Sequence, residues 1–231
     1  MIEPETPVLH FCGARPQELA AGRRPSARWG KRRLKWCIIN RLPQLTLEQQ
    51  IEDTAWALNQ YRIATNGWFT YEHTTKADTA DIILTTFRDR PNGVLADMQL
   101  PPGDDRQLLG RFDAAEPWNR TAASVQYRLT AMHEFGHAHG MDHIDDPRMP
   151  SVLDSIYNPK LLTLQKLDIE VLLAKYPEAA TMPPLSPDAP VTPPKPIPGP
   201  APTGPGYFDG PVTINFANGE TYQATNFKRI L

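Results

Sequence analysis

The chain has 231 residues, a formal net charge of −2 and a sequence pI near 6.3, a balance that excludes charge-driven nucleic-acid binding. No stretch approaches the roughly 20 apolar residues of a membrane-spanning helix, and the first residues, MIEPETPVLHFCG, lack the pattern of a secretory signal. Two cysteines are too few for a disulfide scaffold.

The first half of the chain alternates between strand and helix patterns. Apolar residues alternate in residues 34–40, which predicts a strand. Thr46 and Gln49 have the spacing of a capping box, and apolar residues then recur at helical spacing, which predicts a helix that reaches residue 62. Short apolar runs predict three further strands, at residues 68–71, 80–84 and 94–100.

Two helices are predicted in the second half of the chain. The first covers about residues 122–139 and carries a histidine-rich motif. The second covers residues 164–176 and is stopped by Pro177, which cannot continue a helix. The mixture of strands and helices predicts an α/β (α+β) domain.

Composition changes after this last helix. Residues 182–206 contain 11 of the 25 prolines, which predicts an extended, semi-rigid spacer without a core. Beyond the spacer, Val212, Ile214 and Phe216 alternate with polar residues before a turn at residues 217–219, which predicts a β-hairpin. A hairpin of this size is unstable alone, so we expect it to dock on the main domain or on a partner.

Four of the six histidines lie within eleven residues, HEFGHAHGMDH at positions 133–143. In a helix His133 and His137 stack on one face, where two imidazoles can bind one metal ion. Gly140 lets the chain leave the helix at positive φ, which would bring His143 back as a third ligand. Glu134 lies one step round the helix, within reach of a water on the metal. The spacing is the H-E-x-x-H-x-x-G-x-x-H signature of metzincins.

Imidazole ligands favour Zn²⁺, and three protein ligands with an open position for water are typical of catalytic zinc. Glu134 is then expected to act as general base and acid, taking a proton from the water and passing it to the leaving amine. His139 is expected to point away from the metal. Two alternatives remain, which are a non-catalytic zinc-containing module that binds peptides or glycans, and a zinc hydrolase that acts on a non-peptide bond.

Residues 28–176 resemble the matrixins, the matrix-metalloproteinase branch of the metzincins. The likeness rests on six motifs in the family's order, namely WGKRRLKW at 29–36, ADII at 80–83, DRPNGVLA at 89–96, FDAAEPW at 112–118, the histidine motif, and residues 162–176. The resemblance implies a twisted mixed sheet, an active-site helix and a C-terminal helix around a cleft. It also implies zinc endopeptidase activity on protein or peptide substrates, and an extracellular location.

The resemblance, the change in composition and the hairpin pattern together divide the chain into four segments. They are a short pro-segment-like N-terminus at residues 1–27, a zinc peptidase domain at 28–178, the Pro-rich linker at 179–206 and the hairpin tail at 207–231.

The resemblance also implies residues that contact the substrate. The strand at residues 94–100 would lie at the edge of the sheet and pair with an extended peptide. The family also has a turn that contains a methionine after the third histidine, and the segment after this turn would form the wall of the specificity pocket. The residues concerned are Leu95, Ala96, Ser155, Ile156 and Tyr157. In the methionine turn itself, either Leu153 or Met149 stands for the family's methionine.

Further metal sites follow from the same resemblance. Asp89, Asp113 and Glu116 are implied oxygen ligands of a structural calcium ion, and the alternative is a solvated acidic loop. Matrixins commonly hold a second, structural zinc through histidines. Asp97 and Arg111 occupy those places here, and because arginine cannot bind a cation, we expect no second zinc.

Cys12 lies in the stretch FCGARP, residues 11–16, which resembles the family's latency motif C-G-x-P-D with one residue inserted and no aspartate. A thiolate is a soft ligand suited to zinc, so this cysteine would keep the enzyme inactive by occupying the fourth coordination position of the zinc. The alternatives are a free thiol and a disulfide with Cys37, which is itself expected to be a buried core residue.

Overall fold

The structure is a computed structural model that describes residues 28–88, 94–101, 103–120 and 125–185, with the backbone of residues 212–215 and 221–224. Its strands are β1 (Arg33–Ile38), β2 (Thr70–His73), β3 (Ile82–Phe87), β4 (Ala96–Met98), β5 (Leu108–Asp113), β6 (Val212–Asn215) and β7 (Thr221–Ala224). Its helices are α1 (Leu47–Ala64), α2 (Tyr127–Ala138), α3 (Lys166–Lys175) and α4 (Pro177–Ala180).

Five strands form one mixed sheet in the order β2-β1-β3-β5-β4. The first four run parallel to their neighbours, whereas β4 pairs antiparallel with β5, with Ala96 opposite Phe112. Among the described strands β4 has only β5 beside it, so it is an edge strand. The predicted mixed α/β fold and the predicted edge strand within residues 94–100 are confirmed.

The apolar pattern of the sequence does not predict β5, which lies inside the sheet. Along this strand Leu108 and Phe112 are buried, and Gly110 stands at the buried position between them. A Cβ at Gly110 would lie too close to the Met98 Cε atom and 3.2 Å from the Leu84 Cδ2 atom. Because this inward position carries no side chain, the alternation that marks a strand is interrupted in the sequence.

Helix α1 begins at the predicted capping box and packs against α2. The Thr46 side chain accepts the N–H of Gln49, whose own side chain accepts the N–H of Thr46, so the first turn has partners for its free donors. Further along, the buried Tyr61 hydroxyl donates to the carbonyl oxygen of Met132 at 2.6 Å. Tyr61 thereby fixes α2 one residue before its histidine motif.

Helix α2 begins at Tyr127, five residues later than predicted, and ends at Ala138. Gln126 is extended and forms a bridge with Asn119, so the chain immediately before α2 cannot be helical. The first residues of the predicted helix, 122–124, lie outside the described residues.

The two ends of the domain meet at the C-terminal end of α2. The indole N–H of Trp29 donates to the carbonyl of Ala138 at 2.7 Å, and the Tyr176 hydroxyl donates to the carbonyl of His139 at 3.1 Å. These bonds satisfy carbonyls that a helix end leaves without partners. Pro177 ends α3 as predicted and also begins the short helix α4.

The predicted hairpin is formed by β6 and β7, which pair antiparallel with Val212 opposite Ala224. In the described part of the chain, no helix has the length and apolar character needed to cross a membrane.

Candidate metal centre and cleft

The first two histidines of the motif lie on one face of α2, as their spacing predicts. Their Nε2 atoms are 3.1 Å apart, and both residues are buried. The other ring nitrogen of each is used elsewhere, because His133 Nδ1 donates to the carbonyl of Val152 at 2.7 Å and His137 Nδ1 donates to the carbonyl of Met141 at 2.8 Å. Both rings are therefore oriented with Nε2 toward a common point.

His143 completes the cluster after the chain turns at Gly140. Gly140 has a φ of 81°, the positive value predicted for this glycine, and the N–H of Met141 bonds back to Gly136. The ligand atoms of His133, His137 and His143 all lie within 4.8 Å of one another.

The chemistry of this donor set fits a zinc ion. The buried Nε2 of His143 has no hydrogen-bond partner among the described residues. A buried ring nitrogen without a partner is unfavourable unless it binds something, and a metal ion is the partner that three converging imidazoles suit.

Burial keeps these imidazoles in the neutral form that binds metals. It lowers the pKa of His137 to about 4, with a further contribution from the nearby His143. Burial also lowers the pKa of His133 and of His143, although for His143 the carboxylates of Asp145, Asp142 and Asp154 oppose the shift.

Glu134 and His139 have different surroundings. Glu134 follows the first histidine directly on α2 and is fully buried. His139 lies outside the cluster, as predicted. Its Nε2 is 2.8 Å from the Tyr71 hydroxyl, its Nδ1 donates to the carbonyl of Phe135 at 2.6 Å, and its ring stacks on Tyr61. Its role is in the packing of the core.

The loop after the third histidine places Leu153 under the metal-binding face of α2. Leu153 is fully buried, and a Cβ on Gly136 would lie 2.5 Å from its Cδ1 atom. Met149, the alternative counterpart of the family's methionine, is 37% exposed. The buried Asp168 holds the loop through the Ser151 hydroxyl at 2.5 Å and the Val152 N–H at 3.0 Å. Of the two candidates, Leu153 is therefore the one that packs against α2.

A cleft opens beside the imidazoles. Of the predicted substrate-contacting residues, Leu95, Ile156 and Tyr157 line it, whereas Ala96 and Ser155 only adjoin lining residues in the chain. The full lining consists of Leu95, Leu129, Thr130, His133, Ser151, Val152, Asp154, Ile156, Tyr157, Asn158 and Leu161. Leu129 and Thr130 precede His133 by four and three residues in α2, so helical spacing alone could have placed them beside it.

The predicted calcium ligands are only partly within the described residues. Asp113 is fully buried, its Oδ1 accepts the N–H of Ala115 at 2.8 Å, and its buried Oδ2 has no hydrogen-bond partner in the described part of the chain. Glu116 is also buried, and its N–H bonds to the Asp113 carbonyl. Asp89 lies outside the described residues, two positions after Phe87, which is the register partner of Asp113.

Asp97 and Arg111 face each other across β4 and β5 and form a two-pronged ion pair, with Arg111 Nε donating to Asp97 Oδ1 at 2.9 Å. Cys37 is buried as a free thiol in β1, an interior strand, in agreement with the predicted core position. Cys12 lies outside the described residues.

Comparison with known proteins agrees with this geometry. The family model described as matrixin matches residues 28–176. The chain is 33% identical to neutrophil collagenase of Homo sapiens over 132 residues, which cover 52% of this chain and 27% of that protein. It is 29% identical to stromelysin-1 of Equus caballus over 173 residues, which cover 70% of this chain and 34% of that protein. It is 32% identical to matrix metalloproteinase-27 of Homo sapiens over 129 residues, which cover 51% of this chain and 24% of that protein.

The matched residues thus span 24% to 34% of the length of these relatives. The matched region, by contrast, covers more than half of the present chain and contains every described element from β1 to α3. The chain belongs to the matrixin family.

Proposed function

We propose that this chain is a zinc-dependent metalloendopeptidase. The observation that carries the proposal is the convergence of three imidazoles, with their ligand atoms within 4.8 Å of one another, next to a buried glutamate on the same helix. Membership of the matrixin family supports the same activity. The zinc would be held by His133, His137 and His143, whose orientation is helped by backbone carbonyls behind the first two rings.

Glu134 is proposed as the general base and acid. Bound zinc would supply Lewis acidity, lowering the pKa of a water molecule and polarising the carbonyl of the scissile bond. Glu134 would accept the proton of the attacking water and return it to the leaving amide nitrogen. Because the position of this carboxylate on α2 is set by the helix itself, it needs no loop movement to stand beside the first histidine.

The proposed substrate is a protein or peptide bound in extended form. Among the described strands β4 has β5 on one side only, and an extended peptide can add on the other side as a further strand. Leu95 and Ala96 at the start of this edge, with Ser155, Ile156 and Tyr157 across the cleft, are the proposed contacts. The last two and Leu95 line the cleft already.

The flanking segments have proposed roles as well. Cys12 would act as a latency ligand in a pro-segment-like N-terminus at residues 1–27. Sixteen positions separate it from Arg28, a length that spans up to roughly 50 Å when extended. The burial of Cys37 leaves it poorly placed for a disulfide with Cys12.

We further propose that the domain of residues 28–178 acts outside the cell. The linker of residues 179–206 would carry a hairpin tail, 207–231, which docks on this domain or on a partner.

A broad set of fluorogenic peptides tests the proposed activity. The zinc-loaded full-length protein is expected to cleave members of the set, to lose this activity with a zinc chelator and to regain it when zinc is restored. Stoichiometric zinc binding without cleavage of any peptide or denatured protein would replace the peptidase by the non-catalytic binding module.

Calcium is proposed as a structural ion held by Asp89, Asp113 and Glu116. Because an ion that binds only the folded state stabilises it by mass action, saturating calcium should raise the melting temperature by about 5 °C with zinc held constant. Asp113→Asn should abolish this calcium-dependent shift. The matched control is Asp104→Asn, since Asp104 is an exposed residue paired with Arg106. A melting curve that is the same with and without calcium would favour the solvated acidic loop.

A further inference from the structure

The cleft beside the imidazoles combines apolar walls with a single carboxylate. Leu95, Leu129 and Leu161 are among the residues that supply the walls, and Asp154 is the one acidic residue in the lining. No lysine or arginine of the described residues lines the cleft. A substrate side chain that enters it therefore meets apolar surface and one negative charge.

The carboxylate of Asp154 is held in place, and none of the described lysine or arginine side chains pairs with it. Its Oδ1 accepts the N–H of Ile156 at 2.8 Å, which anchors the carboxylate in the loop. Within the described part of the chain, no arginine or lysine forms an ion pair with it. Asp146 in the same loop differs, because it pairs with Arg148 at 2.9 Å. A ligand that fills an apolar cleft removes water from a carboxylate in its lining, and a cationic group on the ligand offsets the cost of this desolvation.

Resting on the proposed peptidase function, we infer that this cleft selects substrates with a lysine or arginine side chain beside the scissile bond. The aliphatic stem of such a side chain packs on the leucine walls, and its cationic end reaches Asp154. His133, a proposed zinc ligand, lines the same cleft, so the side chain that enters belongs to one of the two residues that flank the cleaved bond. The cleft opens to solvent, and the space between its walls together with the solvent at its mouth amounts to about 400 Å³.

Pairs of fluorogenic peptides that differ at one flanking position test this inference. One member carries lysine and the other norleucine, which has the same straight stem without the charge. For the zinc-loaded wild-type chain, kcat/KM is expected to be about tenfold higher for the lysine peptide at one of the two positions. Asp154→Asn should lower the lysine-to-norleucine ratio about tenfold, the scale of one charge-assisted hydrogen bond.

Asparagine retains an Oδ1 that can accept the Ile156 N–H, so this variant removes the charge and keeps the turn. The matched control is Asp146→Asn, which removes a carboxylate from the same loop but not from the cleft lining, and it should leave the ratio unchanged. Equal ratios in wild type and Asp154→Asn, or cleavage of norleucine peptides alone, would overturn the inference and leave the peptidase function intact.

Binding provides a second measurement that does not depend on cleavage. The same peptides without fluorophores can be titrated calorimetrically into the zinc-loaded Glu134→Gln protein, with and without Asp154→Asn. The lysine peptide is expected to bind more tightly than the norleucine peptide, and the difference should disappear with Asp154→Asn. Equal affinities in both backgrounds would reject the selection even if no peptide were cleaved, whereas a failure of cleavage alone would count against the peptidase function.

Discussion

Glu134→Gln is expected to lower kcat on a cleaved peptide by at least about 100-fold while the protein keeps its zinc and its melting temperature. General acid–base catalysis by a positioned side chain contributes about 10² to 10⁴ in rate, and glutamine cannot take up the proton. The substitution retains the size of a side chain that is fully buried in α2, so the fold should tolerate it. Activity, bound zinc and thermal unfolding are measured on the same preparation.

Glu170→Gln is the matched control, because Glu170 lies in α3, interacts with Lys166 and is absent from the cleft lining. Its kcat should equal that of the wild-type chain. Wild-type turnover by Glu134→Gln would end the assignment of Glu134, whereas a loss of zinc in that variant would reassign the side chain to the metal site.

His137→Ala is expected to reduce zinc affinity by more than about 100-fold, since loss of even a residue that supports a ligand costs 10- to 100-fold. The purified wild-type chain should contain close to one zinc ion from this site, and His133→Ala and His143→Ala should behave like His137→Ala. The assignment predicts that peptidase activity falls in parallel with bound zinc. Elemental analysis measures the amount of bound zinc, and competition with a chromogenic chelator measures the zinc affinity of the wild-type chain and of each variant.

His73→Ala serves as the control for this series. His73 lies in β2 beside Trp36, far along the chain from the motif, and is not a member of the histidine cluster. It should retain full zinc. If all three single variants of the motif also retained full zinc, the three-histidine site would have to be abandoned.

The histidine site was predictable because it depends on local geometry. The spacing of His133 and His137 needs only a helix, and the return of His143 needs only a positive φ at Gly140, which the structure has. The alternation within β1 and the capping box of α1 are local signals of the same kind. Sequence patterns within single helices, strands and turns were thus enough to predict most of the elements and the histidine cluster.

Features that depend on distant segments were not predictable in this way. The glycine at the centre of β5 makes sense only when Met98 and Leu84 are packed against it. The choice between Leu153 and Met149 depends on which side chain lies against Gly136, and these residues are more than ten positions apart in the chain. The exposure of Asp154 to the cleft likewise follows from the path of a loop held by Asp168.

The anchoring of Trp29 and Tyr176 has a consequence for how this domain can be combined with others. Both side chains bind carbonyls at the C-terminal end of α2, and nearby Arg28 and Glu178 pair on the surface. The cleft lies instead along the first two turns of that helix. Segments that join the domain before Arg28 and after Glu178 therefore attach through one small region at the far end of the helix. The chain can therefore be lengthened at either of these points without a change in the residues that line the cleft.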